Sequence, residues 1–280
     1  MMHTATALAA YLAAAALSAA PAPAPAPRAA APPPVAMTDM TMTEVRDAIA
    51  AGKTTVLVFN GSIEQTGPHV VLGKHIYKAQ YLGERIAREL GNALVAPVMP
   101  FAPTGAELDK FPGTIDLSAG TFSKVNEEVT ASLVRAGFKY VILMGDHGGN
   151  QPPLEALAPK LDEQYRPRGV RVFFAGDVYA KADAEVEQYL EAHHIPPSNH
   201  GGVADTSELW AISARHVRPG RIAMGDPVNR GAGGDVSIGP SGVEGDPRPS
   251  SPELGRRFND IKVRLGVAEI RRLIERATAR

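Results

Sequence analysis

Three side chains able to bind a metal stand in two short glycine-rich stretches. Glu64 and His75 lie in GSIEQTGPHVVLGKH, residues 61–75, and His147 lies in GDHGGN, residues 145–150. Two imidazoles and a carboxylate from separate segments can make a His₂Glu site with an open position, the arrangement that acidifies a bound water. For any single histidine a surface or packing role is the commoner one. Gly148 and Gly149 remove side chains beside His147, so a substrate or another backbone can come close; a plain turn into the next helix explains them equally well. His200 precedes Gly201 and Gly202, with Asp205 a few residues on. An imidazole near a carboxylate is a general acid/base pair. Asp205 suits an N-cap just as well, and the two roles are compatible. Tyr179 and Asp177 follow an apolar run and reach a site only if that run ends there. Turn-making and packing are their commoner roles, as packing is for Trp210, the sole tryptophan.

The elements that must position these residues are read from apolar periodicity. TTVLVFN (54–60), ALVAPVMPF (93–101), KYVILM ahead of GDHGGN, and VRVFFAG (170–176) are continuous apolar runs, as in the inner strands of a parallel sheet. Between them, helical spacing covers 42–52, 76–90, 121–138 and 182–194. Further helices are predicted over QPPLEALAPKLDEQY after its prolines, after the glycine loop in 199–216, and at the end of the chain from PELGRR onward. The stretch 101–118 has no period and reads as a long loop, which in a compact domain is often functional. Strands alternating with helices predict an α/β domain, a mostly parallel sheet with helices on both faces. In such folds ligands bind beyond the carboxyl ends of the strands, and both GSIEQTGPH and GDHGGN follow strand ends.

Composition narrows the function classes. Lys and Arg total 29 against 30 Asp and Glu, a formal charge of −1. With no long basic run, neither nucleic acid nor a polybasic membrane contact is indicated. There is no cysteine, which excludes disulfides and thiolate zinc sites. Residues 5–20 are apolar and Ala-rich, shorter than the about 20 strongly apolar residues of a membrane span. They end in LSAA, a small-residue pattern that suits secretory cleavage, although the segment before them has no Lys or Arg. Residues 1–20 are therefore read as a signal peptide and 21–39, almost all Pro and Ala at first, as a stiff linker. Residues 40–280 form the domain. The expected location is periplasmic, or cytoplasmic if the first segment is a plain N-terminal extension.

The motifs together resemble the creatininase family of metal-dependent amidohydrolases. The family's Glu-Gln-His-Gly-Pro-His and Leu-Gly-Thr-Asp are similar to EQTGPH (64–69) and LGKH (72–75). Its Asn-Gly-His-Gly-Gly-Asn is similar to GDHGGN, and its His-Ala-Gly-x-x-Glu-Thr-Ser to HGGVADTS (200–207). FPGTIDLS (111–118) and GVEGDP (242–247) also resemble family segments, in the same order. The resemblance implies a three-layer α/β/α sandwich, usually assembled as a hexamer, with a two-metal centre of zinc or manganese that hydrolyses amide bonds of small, often cyclic, substrates.

The departures fall on the chemistry. Thr66 stands where the family has a metal-binding histidine, His75 where it has the bridging aspartate, and Asp205 where it has a glutamate. An imidazole cannot bridge two ions as a carboxylate can, and a threonine hydroxyl is a poor zinc ligand. The expectation is one divalent ion per subunit, zinc or else manganese, on Glu64, His75 and His147. His200, supported by Asp205, moves the proton, and Thr66, Gly148, Gly149 and Tyr179 face the substrate. The expected activity is hydrolysis of an amide or lactone in a small, possibly cyclic, molecule at a non-peptide C–N bond. The competing expectation is an exported member that has lost catalysis and holds a small ligand.

Overall fold

The computed structural model describes residues 33–228 and 238–279. The proposed signal peptide, most of the linker and residues 229–237 lie outside them. The folded unit runs from Pro34 to Arg280, so it begins before the expected boundary at 40. Val35 and Ala36 are buried, Val35 O accepts from Val95 N at 2.8 Å, and Ala36 bridges Val95. Apolar Val-Ala side chains after the proline run find an open strand edge to cover.

In chain order the elements are α1 (Met42–Ala50), β1 (Thr55–Asn60), α2 (Lys74–Leu90), β2 (Ala93–Val95), a short α3 (Ala106–Asp109), α4 (Ala119–Ala136) and β3 (Tyr140–Gly145). There follow α5 (Gln151–Tyr165), β4 (Arg171–Phe174), α6 (Ala180–Ala192), α7 (Val203–Ile212) and α8 (Pro252–Thr278). The strands form one parallel sheet in the order β2-β1-β3-β4. Alternate residues of each strand feed opposite layers, because a strand has a period of two. Val56, Val58, Val141, Leu143 and Val172 pack with Phe122, Leu133, Leu154 and Leu161 of α4 and α5. Leu57, Phe59, Ile142 and Met144 pack with Leu82 and Ile86 of α2 and Val263, Val267 and Ile270 of α8. The result is the expected α/β/α sandwich. Strands β1 and β3 are buried on both faces, hence their unbroken apolar runs. Among the described residues no helix is long and apolar enough to cross a membrane.

Element ends shift by a few residues from the sequence reading, and three of the shifts have a plain local reason. Helix α2 begins at Lys74, two residues early, because Gly73 ends the loop and the backbone N–H groups of Ile76 and Tyr77 both bond to Gly73 O. Helix α5 begins at Gln151 with its prolines inside the first turn, where the missing N–H groups cost nothing. Strand β2 stops at Val95; Pro97 and Pro100 cannot donate to a ladder, and beyond it only Met99 bridges Asn60.

Helices α7 and α8 touch at a glycine. A Cβ at Gly255 would collide with the Ser207 carbonyl and lie 2.8 Å from Ala211 Cβ, whereas a Cβ at Gly120 in α4 would meet nothing within 4 Å. Gly255→Ala should therefore cost about 1–3 kcal/mol in a denaturant titration. Gly120→Ala should stay within about 0.5 kcal/mol of wild type; equal effects would show that the α7–α8 contact is not close-packed.

Candidate metal centre

Glu64 lies in the loop after β1, His75 is the second residue of α2, and His147 follows β3. Backbone geometry brings all three together. Gly61 lets its loop pass against the start of α2, where a Cβ would stand 3.0 Å from the His75 carbonyl group. Fully buried Asn150 fastens the ends of β1 and β3: its Nδ2 donates to Gly61 O at 3.2 Å and its Oδ1 accepts from His147 N at 2.9 Å.

The three candidate ligand atoms lie within 4.8 Å of one another. His75 Nε2 is 2.7 Å from Glu64 Oε1, and His147 Nε2 is 2.7 Å from Glu64 Oε2. Glu64 Oε2 is buried and makes no aligned hydrogen bond in spite of that approach. A cation between it and the imidazole would satisfy both. Asp146 Oδ2 is 2.6 Å from His75 Nδ1, so the Nδ1 proton is given to Asp146 and Nε2 is turned toward Glu64, the usual way a carboxylate orients a ligating histidine. The residues thus fit a small divalent ion. Ligands on a tetrahedral ion stand about 3.3 Å apart, so Glu64 must draw back several tenths of an ångström. His147 Nδ1 accepts from Gly149 N at a long 3.2 Å, a contact that yields when Nε2 gives up its proton to bind.

The electrostatics are those of a buried charge network. Burial pushes the Glu64 carboxyl up, but His147, His75 and Lys74 outweigh it and hold it well below the carboxylate range. Burial and Lys74 push His75 down; Glu64 and Asp146 outweigh them and raise it. Lys74 Nζ is 2.7 Å from Asp205 Oδ2 and 3.4 Å from Glu64 Oε1. Lys78 Nζ is 2.6 Å from Glu208 Oε2 and 3.4 Å from Asp146 Oδ2. Lys262 Nζ in α8 is 3.6 Å from Glu208 Oε1 and 3.1 Å from Asp183 Oδ1.

The expected proton-moving pair is arranged differently from the sequence reading. His200 does not hydrogen-bond Asp205. Its Nε2 lies 2.8 Å from Gln65 O and 3.1 Å from the Gln65 amide nitrogen; the carbonyl is the shorter contact and can only accept, so Nε2 carries the proton and the lone pair is left on Nδ1, 3.9 Å from Glu64 Oε1. Burial, then Lys74, lowers its pKa to about 4, so the ring is neutral at pH 7. Asp205 is taken instead by Lys74 and by Gly201 N–H at 3.0 Å. It is the third residue of α7, with Gly202 at the N-cap, so it reaches back to the loop without capping.

The other candidates divide. Tyr179 and Gly148 face each other in the cleft, where a Cβ on Gly148 would lie 3.0 Å from the phenol oxygen. Burial raises the pKa of that phenol. Gly149 answers to packing, because a Cβ there would collide with the Pro103 carbonyl. Thr66 is fully buried against Gly201 and does not line the cleft, contrary to its expected place on the substrate. Asp177 pairs with Lys181 and Arg272, and Trp210 does not line the cleft.

Lys74, Lys78, Asp146, Glu208 and Lys262 were not singled out from the sequence. One signal was available: Lys74 and Lys78 fall in phase with Leu82 and Ile86 on the buried stripe of α2, where a solvated lysine does not belong.

The cleft over these groups has a volume of about 690 Å³, the size of small-molecule sites. Charged residues line much of it, and Leu108, Val186, Leu190 and Ile238 add apolar lining.

Comparison with known proteins gives the same assignment as the motifs. Residues 38–270 match the family model Creatininase, described as creatinine amidohydrolase. A creatinine amidohydrolase of Pseudomonas putida is 25% identical over 203 residues, covering 69% of this chain and 78% of its own. A mycofactocin precursor peptide peptidase of Mycobacterium ulcerans (strain Agy99) is 27% identical over 219 residues, covering 73% and 79%. The solved structure of a manganese creatininase superposes with a TM-score of 0.74 at 22% identity, over 86% of this chain and 98% of that one. A mutant creatininase of Zn–Zn type gives 0.72 at 23% identity, again over 86% and 98%.

Asp146 gives a prediction that depends on pH. Burial pushes its carboxyl up, but Lys78 and the hydrogen bond from His75 bring its pKa down to about 2, against 3.8 for a free side chain. A depressed carboxylate stabilises the fold at pH values above its unfolded pKa, and that contribution is lost as pH falls through the folded value. Between pH 4 and 2 the metal-free wild type should lose about 2 kcal/mol more stability than Asp146→Asn. Denaturant titrations at each pH measure the difference, and parallel curves would remove Asp146 from the network.

Proposed function

This chain belongs to the creatininase family of amidohydrolases, and we propose that it is a metal-dependent hydrolase of the amide, or lactone, bond of a small and possibly cyclic substrate. The observation that carries the reading is Glu64 Oε2, a buried carboxylate oxygen without an aligned hydrogen bond, set against His147 Nε2 and beside an Asp146-oriented His75.

Glu64, His75 and His147 would hold one divalent ion, zinc or manganese. A bound divalent ion supplies Lewis acidity, which polarises a carbonyl and acidifies water. The chain's own residues do the rest. Asp146 keeps the His75 proton on Nδ1 and so keeps Nε2 available for ligation. Gln65 O does the same for His200 in the opposite sense, holding the proton on Nε2 so that Nδ1 is the base. His200, neutral at pH 7, would carry a proton on Nδ1 to the departing nitrogen. Gly148 N–H, and Gly149 N–H once it is released from His147 Nδ1, would donate to a developing oxyanion. Tyr179 closes the wall beside it. The apolar residues in the cleft lining favour a substrate with an apolar portion, and the volume favours a small molecule over a folded chain.

Elemental analysis of the purified protein should give one ion per chain, and a panel of small cyclic and acyclic amides should be turned over only with the ion present. Glu64→Ala and His75→Ala should lose both ion and turnover, while Asp146→Asn should weaken metal affinity about 10–100-fold. Full turnover by chelator-treated protein would refute a metal-dependent reaction.

A further inference from the structure

Lys74 is a buried cation in the cleft that the chemistry above does not use. It is the first residue of α2, and its side chain is 1% exposed. Burying an ammonium costs several kcal/mol unless it is paired, so a lysine here has a specific set of partners. They are Asp205 Oδ2 at 2.7 Å and Glu64 Oε1 at 3.4 Å. His200 Nδ1, the free lone pair of that ring, stands 3.9 Å from the same Glu64 oxygen. All four residues line one cleft.

Two carboxylates from separate segments meet one ammonium here, and paired carboxylates are a hard-cation donor set. The cation there is the lysine's own. Asp205 is fixed from its other sides by Gly201 N–H at 3.0 Å and by Lys78 Nζ, 3.5 Å from Oδ1. It is therefore built into the place and does not simply follow Lys74.

We propose that Lys74 is a tethered cation: its ammonium occupies a second cation position between Glu64 and Asp205, and thereby limits the centre to one metal ion. The inference rests on the reading that Glu64, His75 and His147 hold an ion. A divalent ion drawing on Glu64 Oε1 and Asp205 Oδ2 together would have to sit where Nζ already contacts both oxygens, so bulk and like charge exclude it together. A short neutral side chain at 74 removes both obstacles and leaves the two carboxylates without their cation. The lysine supplies one positive charge in place of two, with no affinity to satisfy and no ion to lose to a chelator.

The test is a metal count, independent of turnover. Wild type and Lys74→Ala are loaded with Zn²⁺, and separately with Mn²⁺, then dialysed, and their metal-to-protein ratios are measured beside a thermal melt. The inference expects one ion per chain in wild type and two in Lys74→Ala. A cooperatively folded Lys74→Ala that holds one ion overturns it, as do two ions in wild type, which leave the proposed reaction standing. No ion in wild type overturns the underlying reading of the metal centre instead. If Lys74→Ala does not fold, Lys74→Ser, whose hydroxyl can hydrogen-bond Asp205, carries the same expectation of two ions and the same refutation at one.

Discussion

The carboxylate of Glu64 is the charge around which the rest of the site is arranged. It is 1% exposed, and a bare carboxylate in that position would cost several kcal/mol in lost hydration. His75, His147 and Lys74 compensate it directly. Each of these is itself buried, so each needs a partner in turn: Asp146 for His75, Asp205 for Lys74. Lys78, Glu208 and Lys262 continue the alternation of sign into α7 and α8. A network of this kind does little for net stability, because desolvation offsets most of the attraction, but removing one member strands the others. It fixes which segments must meet: the loops after β1 and β3, the first turn of α2, and the helices α7 and α8.

Helix α2 joins the site to the core. Its buried stripe is charged at the first turn, with Lys74, His75 and Lys78, and apolar further on, with Ala79, Leu82, Ile86 and Ala87. The apolar part packs on Leu57 and Phe59 of β1, the strand whose end carries Glu64. Packing against the middle of the sheet therefore sets where the lysine and histidine stand relative to the carboxylate. Position in the helix decides which kind of contact each residue makes, since all of them point the same way.

The glycine-rich stretches do two different jobs. Gly61 and Gly149 allow backbones to touch, at the His75 and Pro103 carbonyls respectively, and so close the scaffold. Gly148 keeps space open beneath Tyr179, inside the cleft. The Asn150 side-chain amide then fixes the His147 backbone, and the Gln65 carbonyl holds the His200 ring. Precision in the site comes from neutral hydrogen bonds at strand ends, while the charges supply the field.

Much of this was determined locally and could be read from the chain. Continuous apolar runs at 54–60 and 139–144, alternating with helical periods, read as strands covered on both sides, so the layered α/β fold and the placement of Glu64 and His147 at strand ends followed from residue types. The three candidate ligands, His200, and the cleft position of Gly148 and Tyr179 were legible for the same reason. What the sequence left undecided depends on pairs distant along the chain. Asp205 could be assigned to His200 or to a cap by spacing alone; only the fold brings Lys74, 131 positions away, to claim it. Thr66 follows the metal loop's glutamate by two residues, yet its chain turns at Gly67, φ +68°, and buries it away from the cleft. Lysines 74, 78 and 262 look like ordinary helix residues until their carboxylates arrive from other elements. Periodicity fixes which face of a helix is buried, and so belongs to the sequence. Which charges meet on that face is a matter of distance in space, and only the tertiary structure decides it.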